Sequence, residues 1–343
     1  MGRQRPRTRP TLDAVAARAG VGRGTASRVI NGSPQVSPQA RAAVERAIAE
    51  LGYVPNRAAR ALVTQRTDSV ALVISESQER LFGEPFFAGI VRSISSALLE
   101  TSMQLWLAMA QSPAERDRVA QHLTSQHVDG VLLLSLHDDD PLPGILEQRG
   151  LPTVLGGRVA SMLRPSARPA YFVDVDNVGG ARQAVEHLLA GGRQKIATIA
   201  GPQDMGVGVA RLIGYREAVR AGGIAELVAY GDFSEESGAS AMRELLHRRP
   251  DLDAVFVASD LMACGALRAL REAGRRVPDD VAVVGFEDGD VAQRADPPLT
   301  TIHQPVDEMG RQMVRLLMSR IRNEEPETPY VLLDTHLVRR RSA

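Results

Sequence analysis

From Ser69 onward, short runs of consecutive apolar residues alternate with longer stretches of helical period, and that alternation leaves few folds open. Val70-Ala71-Leu72-Val73-Ile74 reads as a first strand, followed by a helix across Phe86 to Glu100. Leu105 to Ala108 reads as a second strand. A helix over Ala114 to Ser125 leads to a third, Val131 to Leu134, and Pro152 to Leu155 gives a fourth. The pattern resumes at Tyr171 to Asp174, Ile196 to Ala200, Ala254 to Val257 and Val281 to Val284. Strands that are apolar along their whole length are buried on both faces, and strands separated by helices pair in parallel. Two successive sets predict two doubly wound α/β lobes, divided near Arg158 to Pro169, where periodicity lapses.

In such sheets ligands bind beyond the carboxyl ends of the strands. Ser75-Glu76, Gly201-Pro202, Ser259-Asp260 and Glu287-Asp288 fall at those ends. Carboxylates there suit a hydroxyl-rich ligand, because each accepts hydrogen bonds from adjacent hydroxyls. A sugar ring also needs a flat apolar platform. Phe82, Phe86, Trp106 and Phe233 lie near strand ends or loops and are the candidates, whereas Phe87 and Phe286 are assigned to packing.

Ahead of this body the charge changes. Basic and acidic residues both number 41, so the chain is formally neutral. That neutrality is a cancellation. Residues 1–66 carry 12 arginines against Asp13, Glu45 and Glu50, a net +9, and the remainder carries 29 bases against 38 acids, a net −9. A basic head of this kind points to a polyanion. Thr11 reads as the cap of a helix over Leu12 to Ala19 with Gly20 as its stop, and only Val21 and Gly22 separate it from a second helix, Arg23 to Ile30. So tight a link is the helix-turn-helix signature. Ala26, Val29 and Ile30 share the inward face of the second helix, which leaves Arg23, Gly24, Ser27 and Arg28 outward. Ser37-Pro38 opens a third helix that Gly52 ends. Tyr53-Val54-Pro55-Asn56 then leads into Arg57-Ala58-Ala59-Arg60-Ala61-Leu62, too short to be a stable helix alone. It is either a linker whose leucine packs on the next domain or a hinge that folds on DNA.

These residues resemble the LacI/GalR family of repressors. The resemblance rests on Thr11-Leu12-Asp13-Ala14-Val15-Ala16, Gly20-Val21, Thr25-Ala26-Ser27-Arg28-Val29-Ile30-Asn31 and Gly52-Tyr53-Val54-Pro55-Asn56. In the body it rests on Val128-Asp129-Gly130, Arg211-Leu212-Ile213-Gly214-Tyr215, Gly231-Asp232-Phe233 and Pro297-Pro298-Leu299-Thr300-Thr301-Ile302. Within the family the chain is most similar to actinobacterial repressors of cellobiose and cellulose use, notably at Leu81-Phe82-Gly83-Glu84-Pro85-Phe86-Phe87. The resemblance implies an all-α helix-turn-helix head and a two-lobed, periplasmic-binding-protein-like effector unit. It implies major-groove reading by Arg23 and Gly24, with Thr11, Thr25, Ser27, Arg28, Asn31, Tyr53, Asn56, Arg57, Ala59 and Arg60 serving backbone or nearby bases, and Leu62 wedged into the minor groove. It implies an effector cleft lined by Phe82, Glu84 and Arg158 from the first lobe and by Arg211, Phe233, Ser259, Asp260 and Glu287 from the second. Asp260 competes for a second role as a helix cap. Gly22 departs from the family's serine cap, and Glu287 stands where aspartate is usual.

The implied organisation is a basic arm over 1–10, the DNA-binding domain over 11–54, a hinge over 55–66 and an effector-binding and dimerisation unit over 67–343. Its first lobe takes residues 67–165 with 303–325, its second 166–302 with 326–343. The expected partners are double-stranded DNA carrying a palindromic operator, a sugar effector and a second copy of the chain. No cofactor or metal is expected. A single cysteine, Cys264, excludes an intramolecular disulfide and fits a reducing compartment. No apolar run reaches bilayer length, so the expected location is the cytoplasm without a membrane partner. Two alternatives stand beside this reading. One is a family member with a non-sugar ligand or co-repressor, which Met205 and Val207 at the purine-type contact positions disfavour. The other is a sugar-processing enzyme with a DNA-binding head, which would need a carboxylate pair such as Asp260 and Glu287. Asp138-Asp139-Asp140 beside Pro141 reads as a solvated loop.

Overall fold

The computed structural model describes residues 10–54, 66–163, 170–324 and 326–343. The arm ahead of Pro10 and the expected DNA contacts Asn56, Arg57, Ala59, Arg60 and Leu62 lie outside the described residues. The chain divides into two compact units, Met1–Thr67 and Asp68–Ala343.

In the first unit, local chemistry sets the helix ends. The Thr11 hydroxyl accepts the Ala14 amide at 3.2 Å and opens α1 (Leu12–Ala19), which Gly20 closes at φ 67°, a conformation that disfavours any side chain. Helix α2 (Arg23–Ile30) starts from Gly22 without a side-chain cap. The Ser37 hydroxyl accepts the Ala40 amide at 3.3 Å at the start of α3 (Pro38–Leu51). Val15, Ala16, Ala26, Val29, Val44 and Ala47 form a small core of their own, with Tyr53 packed against it.

The second unit is built on two sheets, each with six described strands. The strands are β1 (Ser69–Ile74), β2 (Gln104–Met109), β3 (Gly130–Leu134), β4 (Thr153–Gly156), β5 (Phe172–Val175), β6 (Ile196–Ala200), β7 (Val228–Tyr230), β8 (Ala254–Val257), β9 (Ala282–Glu287), β10 (Thr300–His303), β11 (Tyr330–Leu333) and β12 (His336–Val338). The first sheet runs β11-β5-β4-β3-β1-β2 and is parallel throughout. The second runs β12-β10-β9-β8-β6-β7, with only β12 antiparallel. Inner strands such as β1 and β3 are buried at every position, as their unbroken apolar runs require, and apolar clusters cover both faces of each sheet.

Two expectations about the lobes need correction. Phe172–Val175 pairs with β4 in the first sheet, so the first lobe continues past residue 165 to the end of β5. Tyr330–Leu333 pairs with β5 and also belongs to the first lobe, leaving only the segment from β12 onward to the second. A buried parallel strand carries no mark of which sheet it joins, because the choice is made by long-range pairing. Among the described residues the chain therefore passes between the lobes three times: between β5 and the helix Asn177–Ala190, between β10 and the helix Val306–Ile321, and between β11 and β12. Strands β7, β10 and β12 were not legible as apolar runs, being three or four residues long and partly polar. The loop Asp138-Asp139-Asp140 is not simply solvated. Asp140 is enclosed, accepting the Ser75 hydroxyl at 2.8 Å and the Leu142 amide at 2.9 Å.

Candidate functional site

The carboxyl ends of both sheets converge on one cleft. Arg80 and Glu84 follow β1, Ser135 follows β3, Gly156 and Gly157 close β4, and Asp174 and Asn177 come from the end of β5. From the second lobe come Met205 and Val207 after β6, Phe233 after β7, Glu287 at the end of β9 and Gln304 after β10. The cavity they enclose has a volume of about 80 Å³. That is well below the ~300–1,000 Å³ typical of small-molecule pockets, because the cleft is nearly filled by its own side chains.

At its deep end Arg211 is 2% exposed and spends its guanidinium on three acceptors. Nε donates to Asn177 Oδ1 at 2.9 Å, Nη1 to the Ala258 carbonyl at 2.5 Å and Nη2 to Gln304 Oε1 at 3.1 Å. Glu287 lies 3.6 Å away and the Phe286 ring 3.7 Å beneath. Asn177 and Gln304 sit at two of the interlobe crossings, so this one side chain ties both to the cleft floor. Burial pushes the Glu287 carboxyl up to about 8 against the opposing pull of Arg211. Burial likewise raises Asp174, although Arg158 Nε donates to it at 2.7 Å.

At the mouth, Phe233 is 5% exposed and rests on Gly201, where a Cβ would stand 2.4 Å from the ring. Burial works against the charge of Arg80, but Glu84 and Glu76 outweigh it and hold the guanidinium above its usual range. Burial raises Glu84 despite this pairing. Ser135, Phe233 and Glu287 have φ of 57°, 74° and 117°, positions that L residues rarely adopt. Backbone strain of this kind clusters at functional sites, and here three cases line one cavity.

The expected cleft residues divide in two. Glu84, Arg211, Phe233 and Glu287 line the cavity. Phe82 does not: it is 80% exposed on the far side of the short helix Gln78–Gly83. Arg158 is drawn off by Asp174, and Ser259 caps the helix Asp260–Glu272 by accepting the Met262 amide at 3.2 Å. Asp260 is therefore not the cap. It is fully buried, accepts the Thr301 hydroxyl and the Gly289 amide, and is pushed by burial up to about 7. Phe86 lines the cavity; Phe87 is 2% exposed and packs in the first lobe's apolar core as expected while also bordering the cavity, and Phe286 is buried beneath Arg211. Trp106 lies mid-strand on β2, half exposed and stacked on His122. Sequence reading missed Arg80, Asp174, Asn177 and Gln304. Asp174 and Asn177 follow the same strand-end rule that found the others.

On the head, Arg23, Gly24, Arg28 and Asn31 are exposed along α2, with Thr25 and Ser27 half-buried beside them. Arg23 Nε lies 3.4 Å from Asp13, both largely in solvent, and Asn31 Nδ2 donates to the Ser27 hydroxyl at 3.4 Å. Thr11 is exposed, its hydroxyl engaged in the cap, and Tyr53 is half-buried against the core.

Residues 11–56 match the bacterial regulatory proteins of the lacI family, and residues 185–343 match the periplasmic binding protein-like domain. The HTH-type transcriptional regulator CelR of Thermobifida fusca is 59% identical over 98% of this chain and 99% of its own. The chain belongs to the LacI family. Among solved structures, a transcriptional regulator CelR–cellobiose complex superposes at a TM-score of 0.77, with 56% identity over 98% of this chain and all of that one. A lac repressor dimer bound to operator and the anti-inducer ONPF superposes at 0.85, with 30% identity over 98% and 99% of the two chains. The matched regions correspond to the helix-turn-helix head and, for the most part, to the second lobe of the two-sheet unit.

Proposed function

We propose that this LacI-family protein is a cytoplasmic, dimeric transcriptional repressor that binds a palindromic operator and leaves it when the cleft takes up cellobiose or a related β-linked glucose oligosaccharide. The observation that carries the sugar reading is the pairing of a flat Phe233 face with the buried Arg211–Glu287 pair inside one cavity. The ring suits the C–H face of a pyranose, the Arg211 guanidinium donates to its hydroxyls and the Glu287 carboxyl accepts from them. The CelR–cellobiose complex, from a chain this similar, supports cellobiose as the first ligand.

On the DNA side, Arg23 at the amino end of α2 reads a guanine in the major groove, worth about 1–3 kcal/mol of discrimination. Gly24 lets the helix approach, and Thr25, Ser27, Arg28 and Asn31 serve the backbone or nearby bases. Leu62 from each protomer opens a central base step. Two-fold symmetry of the dimer calls for two half-sites.

The pair Asp260 and Glu287 does not meet in the cavity, because Asp260 accepts hydrogen bonds from Thr301 and Gly289, which weighs against an enzymatic alternative built on that pair. The test is operator release, followed by fluorescence anisotropy, across glucose, cellobiose, cellotriose, ribose and hypoxanthine. Release by the glucose oligosaccharides is the expected result. Tightening by hypoxanthine would install the co-repressor reading instead.

A further inference from the structure

The Phe233 platform is already occupied. The guanidinium carbon of Arg80 stands 5.3 Å from the centre of the ring. A sugar ring stacked on Phe233 and clear of a second group above it needs two van der Waals separations, about 7–8 Å. Arg80 and a stacked sugar therefore exclude one another. Arg80 is also held firmly in place. Its Nε and Nη2 donate to the two oxygens of Glu84 at 2.5 and 3.2 Å, and Nη1 donates to Glu76.

Glu76 belongs to a second structure as well, a clasp across the cleft. His137 of the first lobe forms an antiparallel bridge with Met205 of the second, and the Asp138 amide donates to the Asp204 carbonyl at 2.9 Å. The His137 ring lies 2.6 Å from Asp204 through Nδ1 and 3.7 Å from Glu76 through Nε2, and Glu76 also accepts the Ser135 hydroxyl at 2.6 Å. The carboxylate that steadies Arg80 over the platform thus also steadies the histidine that joins the lobes.

We propose that Arg80 is a built-in occupant of the sugar platform whose displacement transmits binding to the lobes. An incoming sugar takes the Phe233 face and drives out the guanidinium. Glu76 loses that partner, and the His137–Asp204 clasp is weakened. The proposal rests on the reading of the cleft as the sugar site.

The experiment compares wild type with Arg80→Ala and Glu84→Gln in the full-length chain, with thermal melting as the control for folding. Cellobiose affinity is measured by calorimetry, and amide exchange across residues 134–140 is measured without ligand. Removing the occupant is expected to tighten cellobiose binding on the order of tenfold, the scale of one cation–π contact. It is also expected to speed exchange at Asp138. Glu84→Gln, which loosens the clamp, is expected to move affinity the same way by less. A folded Arg80→Ala protein that binds cellobiose no more tightly than wild type overturns the proposal, and weaker binding makes Arg80 a sugar contact. Unchanged exchange at Asp138 overturns the link to the clasp, whatever the ligand does. If Phe233→Ala and Arg211→Ala also leave cellobiose binding untouched, the cleft reading itself has failed, and the exchange result still decides whether Arg80 supports the clasp.

Discussion

Replacing Arg211 by alanine tests the cleft floor and the lobe junction together. The substitution leaves Asn177 Oδ1, the Ala258 carbonyl and Gln304 Oε1 without their buried donor. Hydrogen bonds to a charged group are worth roughly 1.5–3 kcal/mol each, so the gross loss is about 4–9 kcal/mol. Part is returned because a buried cation no longer has to be desolvated, and Glu287, its carboxyl pushed by burial up to about 8, is not left behind as an unpaired buried charge at neutral pH. The net expectation is about 3–5 kcal/mol, the cost of leaving three buried acceptors without their donor. Urea unfolding followed by circular dichroism measures this loss in the transition of residues 68–343. Cellobiose affinity should fall about ten- to a hundredfold in calorimetry, the scale of one hydrogen bond to a charged group. Operator binding should persist, since the head has its own core, but sugar should no longer release it. Arg211→Met keeps the volume should the alanine variant unfold. A folded variant with wild-type cellobiose affinity would refute the assignment of Arg211 to the sugar.

Three further outcomes can be stated. Gly206→Ala places a Cβ 1.9 Å from the Arg158 carbonyl, so the unit of residues 68–343 should lose about 1–3 kcal/mol of stability in urea unfolding. Glu76 and Asp204 raise His137 to about 9, so its contribution to stability is complete below about pH 6.5 and is lost as pH climbs through 9. Denaturant midpoints should therefore fall between pH 7 and 10, by at most about 3 kcal/mol, and the fall should flatten in His137→Gln. Arg23→Ala should relax preference at one symmetric base pair per half-site. An equal loss across all operator variants would mean that Arg23 touches phosphate alone.

The head was legible almost residue by residue because its signals are local: Thr11, Gly20, Ser37 and Gly52 start and stop helices through their own chemistry. The strands of the body were legible where burial on both faces leaves an unbroken apolar run, as in β1, β3 and β8. Sheet membership was not, since Phe172–Val175 would read the same in either lobe. In the cleft, strand-end position identified Glu287, and family pattern identified Arg211 and Phe233. Whether a side chain turns inward depends on a few degrees of backbone. Phe82 lies on a short helix and Glu84 just past its end, two residues on, yet one faces solvent and the other the cavity. Arg80 left only the faint mark of acids four residues to either side.

The three crossings also set a timetable. The first sheet cannot be completed until β11 has been made, although the helix-turn-helix ends near residue 54. At about 5–20 residues per second, those two moments on the ribosome are separated by roughly 15–55 s. For that interval a newly made chain presents a folded reading head with no finished sensor behind it. Through that interval the basic head is free to meet DNA while the cleft behind it does not yet exist.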